Sequence, residues 1–247
     1  MDQLSSLIFS KYKEVHGDFS QSDDNRALQR EFDLWGKLNY LPLIKSRSKD
    51  ISIFEVGTYL GHNLKWLKSM GFTNLHGIEL DPISCKIGQK YSGVQDIQSG
   101  DVMDYLSLIE NKFDLIIMKA VLEHIERNEV PRLLSLLHKS LRPGGQIIIT
   151  VPNMDWLLAG HERYMDATHR MGFTRESLGA VMRLYFSNVE VEPFDTQTFQ
   201  GRHGFYRKHI RQLILKVIHK IFRYLGEGLD ELWFEYRAIK GTGYKHG

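Results

Sequence analysis

Short apolar runs alternate along this chain with segments of helical periodicity, and this alternation leaves few folds open. Four runs are bounded by turn residues and rich in Ile, Leu or Val, which predicts buried strands: ISIFEV from Ile51, LHGIEL from Leu75, FDLIIM from Phe113 and QIIITV from Gln146. The segments between them, such as NLKWLKSM and EVPRLLSLLHKSL, return apolar side chains every three or four residues, as a helix face requires. Strands that alternate with helices need crossover connections, so the pattern predicts a mostly parallel, doubly wound α/β sheet.

The rest of the chain predicts two more strands with an insertion between them. A helix begins after Thr174, which is a suitable N-cap; a strand surrounds residues 189–191, and a last strand occupies LWFEYRAI. We therefore expect a polar helical cap over 1–50, a core over 51–193, a helical insertion over 194–231, and the last strand with a tail over 232–247. With 247 residues, the chain fits one domain with appendages.

Composition excludes several classes of protein. With 42% hydrophobic and 25% charged residues, the chain is neither disordered nor a coiled coil. Its single cysteine, Cys85, excludes an internal disulfide and a cysteine-based zinc site, which fits a reducing cytoplasm. No apolar stretch of about 18 residues and no secretory signal is visible, so we expect a soluble cytoplasmic protein. A formal charge of +2 is too small to indicate nucleic-acid binding.

A glycine turn in IFEVGTYLGHNL is the most specific feature of the sequence. Glu55, Gly57 and Gly61 stand between a strand and a helix, where glycine permits a tight turn and lets a ligand approach the helix N-terminus. Glu79 follows 22 positions after Gly57, the spacing at which a carboxylate holds the ribose of an adenosine cofactor. A dinucleotide would need glycine at the position of Tyr59, so a cofactor without a pyrophosphate is favoured.

Five segments resemble, in order, the motifs of the class I S-adenosylmethionine-dependent methyltransferases. They are EVGTYLG, GIELDP, SGDV, FDLIIMKAVLEHI and LRPGGQIIITVPN, and together they cover about residues 51–153. The resemblance implies a seven-stranded Rossmann-like sheet that binds S-adenosylmethionine and releases S-adenosylhomocysteine. It also implies a cofactor-binding set in which the first motif lines the methionine end, the second the ribose and the third the adenine: Glu55, Gly57, Tyr59 and Gly61, then Glu79 and Leu80, then Asp101 and Val102. Tyr59 departs from the commonest pattern, which has glycine there; it either faces the sulfonium or packs elsewhere.

Candidate acceptor-binding residues lie at the ends of the fourth and fifth strands, where open α/β sheets bind ligands. LEHI supplies Glu123 and His124, and the loop NMDWLLAGHERYMDATHRMGFT is dense in polar side chains. Within it, RYMDATH resembles a subgroup associated with bacterial capsule and lipopolysaccharide sugar pathways.

That second resemblance implies roles for the loop residues. His169 would be the favoured general base, with His124 as the other candidate, and Asp166 would orient the base or bind a metal. Acceptor contacts would come from His161, Arg163, Tyr164 and Arg170, with the arginines on a phosphate. The alternative is a lid held together by its own salt bridges and hydrogen bonds. Because a sequence does not show whether Glu123, His124, Asp166 and His169 converge, we expect no metal.

The insertion contains a basic amphipathic helix over about 205–225. Apolar residues repeat at helical spacing, with cationic residues away from that stripe: Arg211, Lys216, Lys220 and Arg223. The helix would pack on its own domain, join a homodimer, or rest on the anionic inner membrane from the cytoplasmic side. Arg202, His203, Arg207 and Lys208 would suit an acceptor phosphate. Nucleic acid is disfavoured because the stretch has no interleaved aromatic platform.

These observations favour O-methylation of a carbohydrate or phosphosugar, either free or lipid-linked, in surface polysaccharide biosynthesis. One alternative is O-methylation of another small hydroxylated metabolite, such as a quinone precursor. The other alternative is a non-catalytic scaffold that keeps only the fold.

Overall fold

A computed structural model of the chain describes Ile8 and residues 22–196, 201–226 and 233–246. Its strands are β1 (Ile53–Val56), β2 (Leu75–Glu79), β3 (Ile97–Ser99), β4 (Phe113–Lys119), β5 (Leu141–Pro152), β6 (Ser187–Phe194) and β7 (Ala238–Tyr244). Its α-helices are α1 (Ser22–Trp35), α2 (Leu41–Ile44), α3 (His62–Ser69), α4 (Pro82–Ser92), α5 (Val102–Ser107), α6 (Val130–Ser140), α7 (Ala159–Tyr164), α8 (Arg175–Arg183) and α9 (Gly201–Leu225). A π-helical turn, Gly36–Tyr40, joins α1 to α2, and a 3₁₀ turn, Leu122–His124, follows β4.

The seven strands form one sheet in the order β3-β2-β1-β4-β5-β7-β6. Neighbouring strands from β3 to β5 are parallel, and β7 pairs antiparallel with both β5 and β6. This confirms the predicted seven-stranded, mostly parallel, doubly wound sheet. The helix predicted after Thr174 is also confirmed, since the Thr174 hydroxyl accepts the Ser177 N–H in a capping box.

Both faces of the sheet are buried, as a parallel sheet requires. Phe54 and Ile116 point into a core beneath α5, α6 and α8, whereas their chain neighbours Ile53 and Leu115 point into a second core beneath α2 and α3. This alternation explains why the strands appear as nearly continuous apolar runs in the sequence. The carboxyl ends of β1, β4 and β5 consequently meet at one edge, where the loops carry the candidate site.

The last strand begins later than the sequence predicts. LWFEYRAI suggests a strand near residue 232, but β7 starts at Ala238, while Phe234 is buried against the rings of His219 and Phe222. The strand itself contains Gly241 and Gly243, which weaken its strand pattern. A Cβ on Gly241 would lie 2.2 Å from the Met182 sulfur, so close packing of α8 on β7 requires a residue without a side chain there.

The described part of the N-terminal cap is helical and is fastened to the core. Tyr40 and Ile44 are buried in the second core. The Asn39 amide donates to the Asp195 carbonyl at 2.9 Å, and the Asp195 N–H donates to Asn39 Oδ1 at 2.8 Å. The cap therefore lies against the end of β6, beside the carboxyl edge of the sheet.

The predicted helix in the insertion is present as α9. Its side chains at 201–208, and with them the predicted phosphate ligands Arg202, His203, Arg207 and Lys208, lie outside the described residues. Within the part of the chain that the structure describes, no helix combines the length and the apolar character that a membrane crossing needs.

Candidate active site

The backbone turns sharply after β1, and three residues there have positive φ: Gly57 (+73°), Tyr59 (+47°) and Gly61 (+77°). A Cβ on Gly57 would lie 2.5 Å from Val121 Cγ2, and one on Gly61 would lie 2.8 Å from the Gly88 carbonyl oxygen. Tyr59 takes up the same left-handed region, although L-residues seldom do so. The turn therefore has the tight backbone that the sequence predicts, with a strained tyrosine where the commonest pattern has glycine.

Glu79, at the end of β2, lies against this turn. Its carboxylate accepts the N–H of Tyr59 at 2.6 Å and the N–H of Asp81 at 3.1 Å. Burial raises the pKa of Glu79, and these two backbone donors oppose that rise. Leu80, the neighbouring residue, is partly exposed on the same edge. The predicted ribose ligand is thus placed beside the glycine turn, as the motif requires.

Asp101 caps α5: its carboxylate accepts the N–H groups of Met103 at 2.7 Å and Asp104 at 3.3 Å. Val102 is half-buried against the first core. The structure therefore assigns Asp101 a local role that the sequence does not predict, because a six-residue helix is too short to show a periodicity. Its predicted contact with adenine stays a prediction.

Glu55, within β1, is buried beneath the turn. Asn63 donates to its Oε1 at 3.1 Å, and its Oε2 has no hydrogen-bond partner among the described residues. Burial raises the pKa of Glu55 to about 8, while the hydrogen bond from Asn63 and the charge of Lys119 oppose that rise. The carboxyl group is consequently protonated in much of the cofactor-free protein at neutral pH.

The structure brings together both histidines that the sequence nominates as bases. The ring centroids of His124, on the 3₁₀ turn, and His169, on the loop after α7, are 4.8 Å apart. Thr168 Oγ1 donates to Asp166 Oδ1 at 2.6 Å and lies 2.8 Å from His124 Nδ1. Burial acts to raise the pKa of Asp166, but its hydrogen bonds with Thr168 outweigh burial and hold that pKa below its ordinary value. Asp166 thus acts on His124 through Thr168 and stays ionised.

Glu123 is buried next to this histidine pair, with 1% of its surface exposed. Neither carboxylate oxygen has a hydrogen-bond partner among the described residues. Burial raises the pKa of Glu123 to about 8, and the charge of Lys119 opposes the rise. One ligand atom each from Glu123, His124 and His169 lie within 4.8 Å of one another, so these three residues are the set that a metal ion would use.

Two of the four predicted acceptor ligands are engaged by other protein groups. The Arg163 guanidinium donates to the carbonyls of His169 at 2.5 Å and Arg170 at 3.1 Å. Arg170 Nε lies 3.3 Å from a carboxylate oxygen of Glu126, which is outside the loop. His161 and Tyr164 are on the exposed side of α7, with Tyr164 80% exposed. Arg163 therefore bonds within the loop, whereas Arg170 ties the loop to the segment after β4, and no described contact brings the four residues together as a ligand set.

A cavity of about 380 Å³ opens between the cap and the carboxyl ends of β4 and β5, and its lining includes Glu162, whose carbonyl lies 3.0 Å from His169 Nδ1. Its walls include an aromatic ring and both signs of charge, from Glu31, Trp35, Lys119, Glu162 and Arg237. Arg237 donates two hydrogen bonds to the Glu162 carboxylate, at 2.8 and 3.1 Å, and Lys119 Nζ is 4.7 Å from the Trp35 ring centroid. Burial lowers the pKa of Lys119, and Glu123 and Glu55 oppose this.

None of these cavity residues is predicted as a site residue from the sequence. A charged Lys119 that ends an apolar strand is a signal that was present in FDLIIMK. Arg237 sits in a run that suggests a strand, and Trp35 lies in a segment without a recognisable motif, so neither position carries a usable signal.

Comparisons with known proteins identify one matching family model and many solved structures with a similar fold. Residues 25–190 match the model of a family described as a methyltransferase domain, and no curated protein matches the chain. The chain is similar to a SAM dependent methyltransferase from Archaeoglobus fulgidus, with a TM-score of 0.67 and 18% identity over 99% of this chain and 100% of that chain.

Two other solved structures are similar in fold. A possible histamine N-methyltransferase from Thermotoga maritima has a TM-score of 0.57 and 18% identity, over 92% of this chain and 98% of that one. Phosphoethanolamine N-methyltransferase 2 from Haemonchus contortus, in complex with S-adenosyl-L-methionine, has a TM-score of 0.56 and 14% identity, over 93% of this chain and 59% of that one. At such identities the likeness concerns the fold alone.

Proposed function

The chain belongs to the methyltransferase-domain family and is an S-adenosylmethionine-dependent methyltransferase, and from that premise we propose that it methylates a hydroxyl oxygen of a small carbohydrate or phosphosugar. The hydroxyl oxygen attacks the methyl carbon of the sulfonium, an O–C bond forms and the C–S bond breaks. The electron pair of the C–S bond stays on sulfur, which leaves S-adenosylhomocysteine. The hydroxyl proton passes to a base on the protein.

The oriented histidine pair carries the proposal of a hydroxyl acceptor. The Thr168 hydroxyl donates its hydrogen to Asp166, so its oxygen accepts from His124 Nδ1–H. His169 Nδ1 lies 3.0 Å from the Glu162 carbonyl, which only accepts, so this nitrogen is also protonated. Each neutral ring therefore carries its lone pair on Nε2, the form in which an imidazole takes up a proton.

The cavity supports a small polar acceptor. A volume of about 380 Å³ is near the lower end for ligand cavities. Trp35 offers a flat aromatic surface for a sugar ring, while Lys119 and Arg237 supply positive charge toward a phosphate or carboxylate. A wall with this much charge suits a quinone precursor less well. We further propose that the acceptor is an intermediate of surface polysaccharide biosynthesis, on the resemblance of RYMDATH.

Cofactor binding is the first test. Calorimetric titration of the purified protein with S-adenosylhomocysteine should give micromolar affinity, and Glu79→Ala and Asp101→Ala should each weaken it by about 1–3 kcal/mol. Exposed Leu108, at the C-terminal end of α5, gives the matched control Leu108→Ala, which should bind as wild type does. Well-folded wild-type protein without affinity would favour the scaffold alternative.

The acceptor test uses transfer of a labelled methyl group. Hexose phosphates, nucleotide sugars and lipid-linked saccharides should accept label, and hydroquinones and small amines serve as comparators. His124→Gln and His169→Gln should each lower kcat by about 10²–10⁴-fold without changing cofactor affinity. Label on a hydroquinone or an amine but on no saccharide would overturn the carbohydrate proposal.

We also propose that α9 holds the enzyme against an anionic membrane surface, from the cytoplasmic side. Phe222 and His219 pack on Phe234, but a separate apolar face stays about half or more exposed: Ile210, Leu213, Ile214, Val217, Ile221, Tyr224 and Leu225. Lys216, Lys220 and Arg223 flank it, and no acidic residue occurs between Asp195 and Glu227. An outward apolar face with only cations beside it is complementary to anionic lipid.

Vesicle flotation tests this placement. The protein should float with vesicles that contain phosphatidylglycerol but not with pure phosphatidylcholine. Leu213→Ser/Val217→Ser should abolish flotation, and Lys90→Glu on α4 is the control. A stable dimer in solution that Leu213→Ser/Val217→Ser dissociates, without flotation, would replace lipid by a second copy of the chain.

A further inference from the structure

Glu123, His124 and His169 come from two loops that are bound to each other. The Glu123 carbonyl accepts the N–H of Arg170 at 2.6 Å and the N–H of Met171 at 3.1 Å. These bonds fasten the loop after α7 to the 3₁₀ turn after β4. Backbone hydrogen bonds therefore hold the two segments that carry the three side chains in fixed positions relative to each other.

Each histidine ring is held by a partner on its Nδ1 side. The Glu162 carbonyl accepts from His169, and the Thr168 hydroxyl, itself bound to Asp166, accepts from His124. Metal-binding histidines are typically held in this way, because a hydrogen bond at one ring nitrogen fixes the tautomer and directs the other nitrogen to the ion.

The burial of Glu123 is a second, independent observation that indicates a bound cation. For a carboxyl group with 1% exposure and no hydrogen-bond partner on either oxygen, the ionised form is costly unless a positive charge compensates it. Lys119 is also buried and attracts it electrostatically, yet makes no hydrogen bond to it. The two unpartnered oxygens are available to an ion that sits between them and the imidazoles.

We propose that Glu123, His124 and His169 bind one divalent transition-metal ion. Two imidazoles and one carboxylate suit Zn²⁺, Mn²⁺, Fe²⁺ or Co²⁺ better than Mg²⁺ or Ca²⁺, which prefer oxygen ligands. Ligand atoms within 4.8 Å of one another need only small side-chain rotations, because two ligands about 2.1 Å from one ion are at most about 4.2 Å apart. The sequence predicts no metal, and the structure supplies the convergence that the sequence does not show.

This inference rests on the proposed O-methylation and adds a role for the ion. Glu123, His124 and His169 would hold the ion and leave room for the acceptor hydroxyl beside it. A bound ion would supply Lewis-acid activation of that hydroxyl, and its proton would then pass to solvent water. The attack on the methyl carbon and the departure of sulfur would be unchanged. In the protein without the ion, the histidines remain the bases of the proposed function.

The test measures metal binding without cofactor or acceptor. Protein freed of metal with a chelator is titrated with Zn²⁺ by calorimetry and with Co²⁺ by visible absorption. One equivalent of Co²⁺ should bind and give the absorption bands of a site with nitrogen ligands. His169→Gln and Glu123→Gln should each weaken affinity at least 100-fold. Thr168→Val, which removes only the group that orients His124, should weaken it about 10-fold.

His138→Gln, on α6 beneath Phe186, is the matched control for a histidine outside the cluster and should bind as wild type does. Absence of saturable binding, or equal binding by a folded His124→Gln/His169→Gln variant, would overturn the metal site. Methyl transfer that persists in chelator would then leave the histidine-base version of the proposed function in place. Binding that depends on the cluster, without any methyl transfer, would retain the metal site and remove the O-methylation proposal.

Discussion

The two sides of the candidate site are built differently. On the donor side, three short stretches of sequence carry the candidate cofactor residues, and Glu79 and Asp101 are already bonded to backbone N–H groups nearby. On the acceptor side, the cavity joins α1, the end of β4, α7 and the residue before β7. The side-chain oxygens of Glu123, beside the histidine pair, have no hydrogen-bond partner among the described residues. A contiguous, internally bonded region is recognisable as a motif, whereas a region assembled from distant segments is not.

Glu55 is the donor-side residue that is not fully bonded, because its Oε2 has no hydrogen-bond partner among the described residues. Its replacement should have the largest effect on the free energy of unfolding. Its folded pKa of about 8 lies above the unfolded value of about 4.3, so between these values the folded state holds the extra proton. Stability should therefore be fully present below about pH 4 and be lost as pH rises toward 8, by up to about 1.4 kcal/mol per pH unit.

Glu55→Gln should remove the Glu55 share of this slope, because glutamine does not titrate, and should leave the share of Glu123, whose pKa is likewise raised to about 8. Urea unfolding of cofactor-free protein at pH 5, 6, 7 and 8 measures it. Glu110→Gln, which changes a surface carboxylate paired with Lys139, should leave the slope as in wild type. A wild-type slope in Glu55→Gln would show that Glu55 is ionised in the folded protein.

Alanine substitutions at Gly57, on the donor side, and at Gly144, near the start of β5, distinguish the cost of backbone strain from the cost of crowding. Both have a φ of +73°, but a Cβ at Gly57 would meet Val121, whereas nothing lies within 4 Å of one at Gly144. Gly144→Ala should lower the free energy of unfolding by about 1 kcal/mol. Gly57→Ala should cost about 2 kcal/mol more, since crowding adds to strain. Urea unfolding checks this, and Val121→Ala in the Gly57→Ala background should recover part of the difference.

Asp101 and Asp81 distinguish capping from binding. Both carboxylates cap a helix, α5 and α4 respectively, so replacing either by alanine should cost about 1 kcal/mol of stability. If Asp101 also contacts adenine, affinity for S-adenosylhomocysteine should fall about tenfold in Asp101→Ala and much less in Asp81→Ala. Equal affinities in the two variants would make Asp101 a cap and nothing more.

Replacement of Trp35 should have the smallest effect, and that effect should be limited to acceptor binding. Trp35→Phe keeps an aromatic wall but weakens the attraction to Lys119 by about 0.5–1 kcal/mol. We expect the KM for the acceptor to rise a few-fold, with unchanged affinity for S-adenosylhomocysteine. Steady-state kinetics at saturating cofactor measure the former. An equal loss of cofactor affinity would show that the two sides are coupled through the cap.

The sequence predicts those parts of the fold that depend on local patterns. Apolar periodicity identifies the parallel strands and their helices, and glycine spacing identifies the turn after β1. It misplaces the start of β7, because Gly241 is set by its distance to α8 and Gly243 by its distance to Phe186 and Val189, and neither by strand propensity. Similarly, Lys119 and Arg237 line one cavity only because the chain returns to the same edge of the sheet, and no spacing between them encodes this.

The insertion of β7 between β5 and β6 bears on how the protein is made. A ribosome synthesises β7 after all six of its companion strands, so β5, which pairs with β4, leaves the exit tunnel with one open edge, and β6 leaves it without a partner strand. The amphipathic helix α9 emerges before β7 does. During this interval the nascent chain exposes two strand edges together with the apolar face of α9, and completion of the sheet waits for the stretch Ala238–Tyr244.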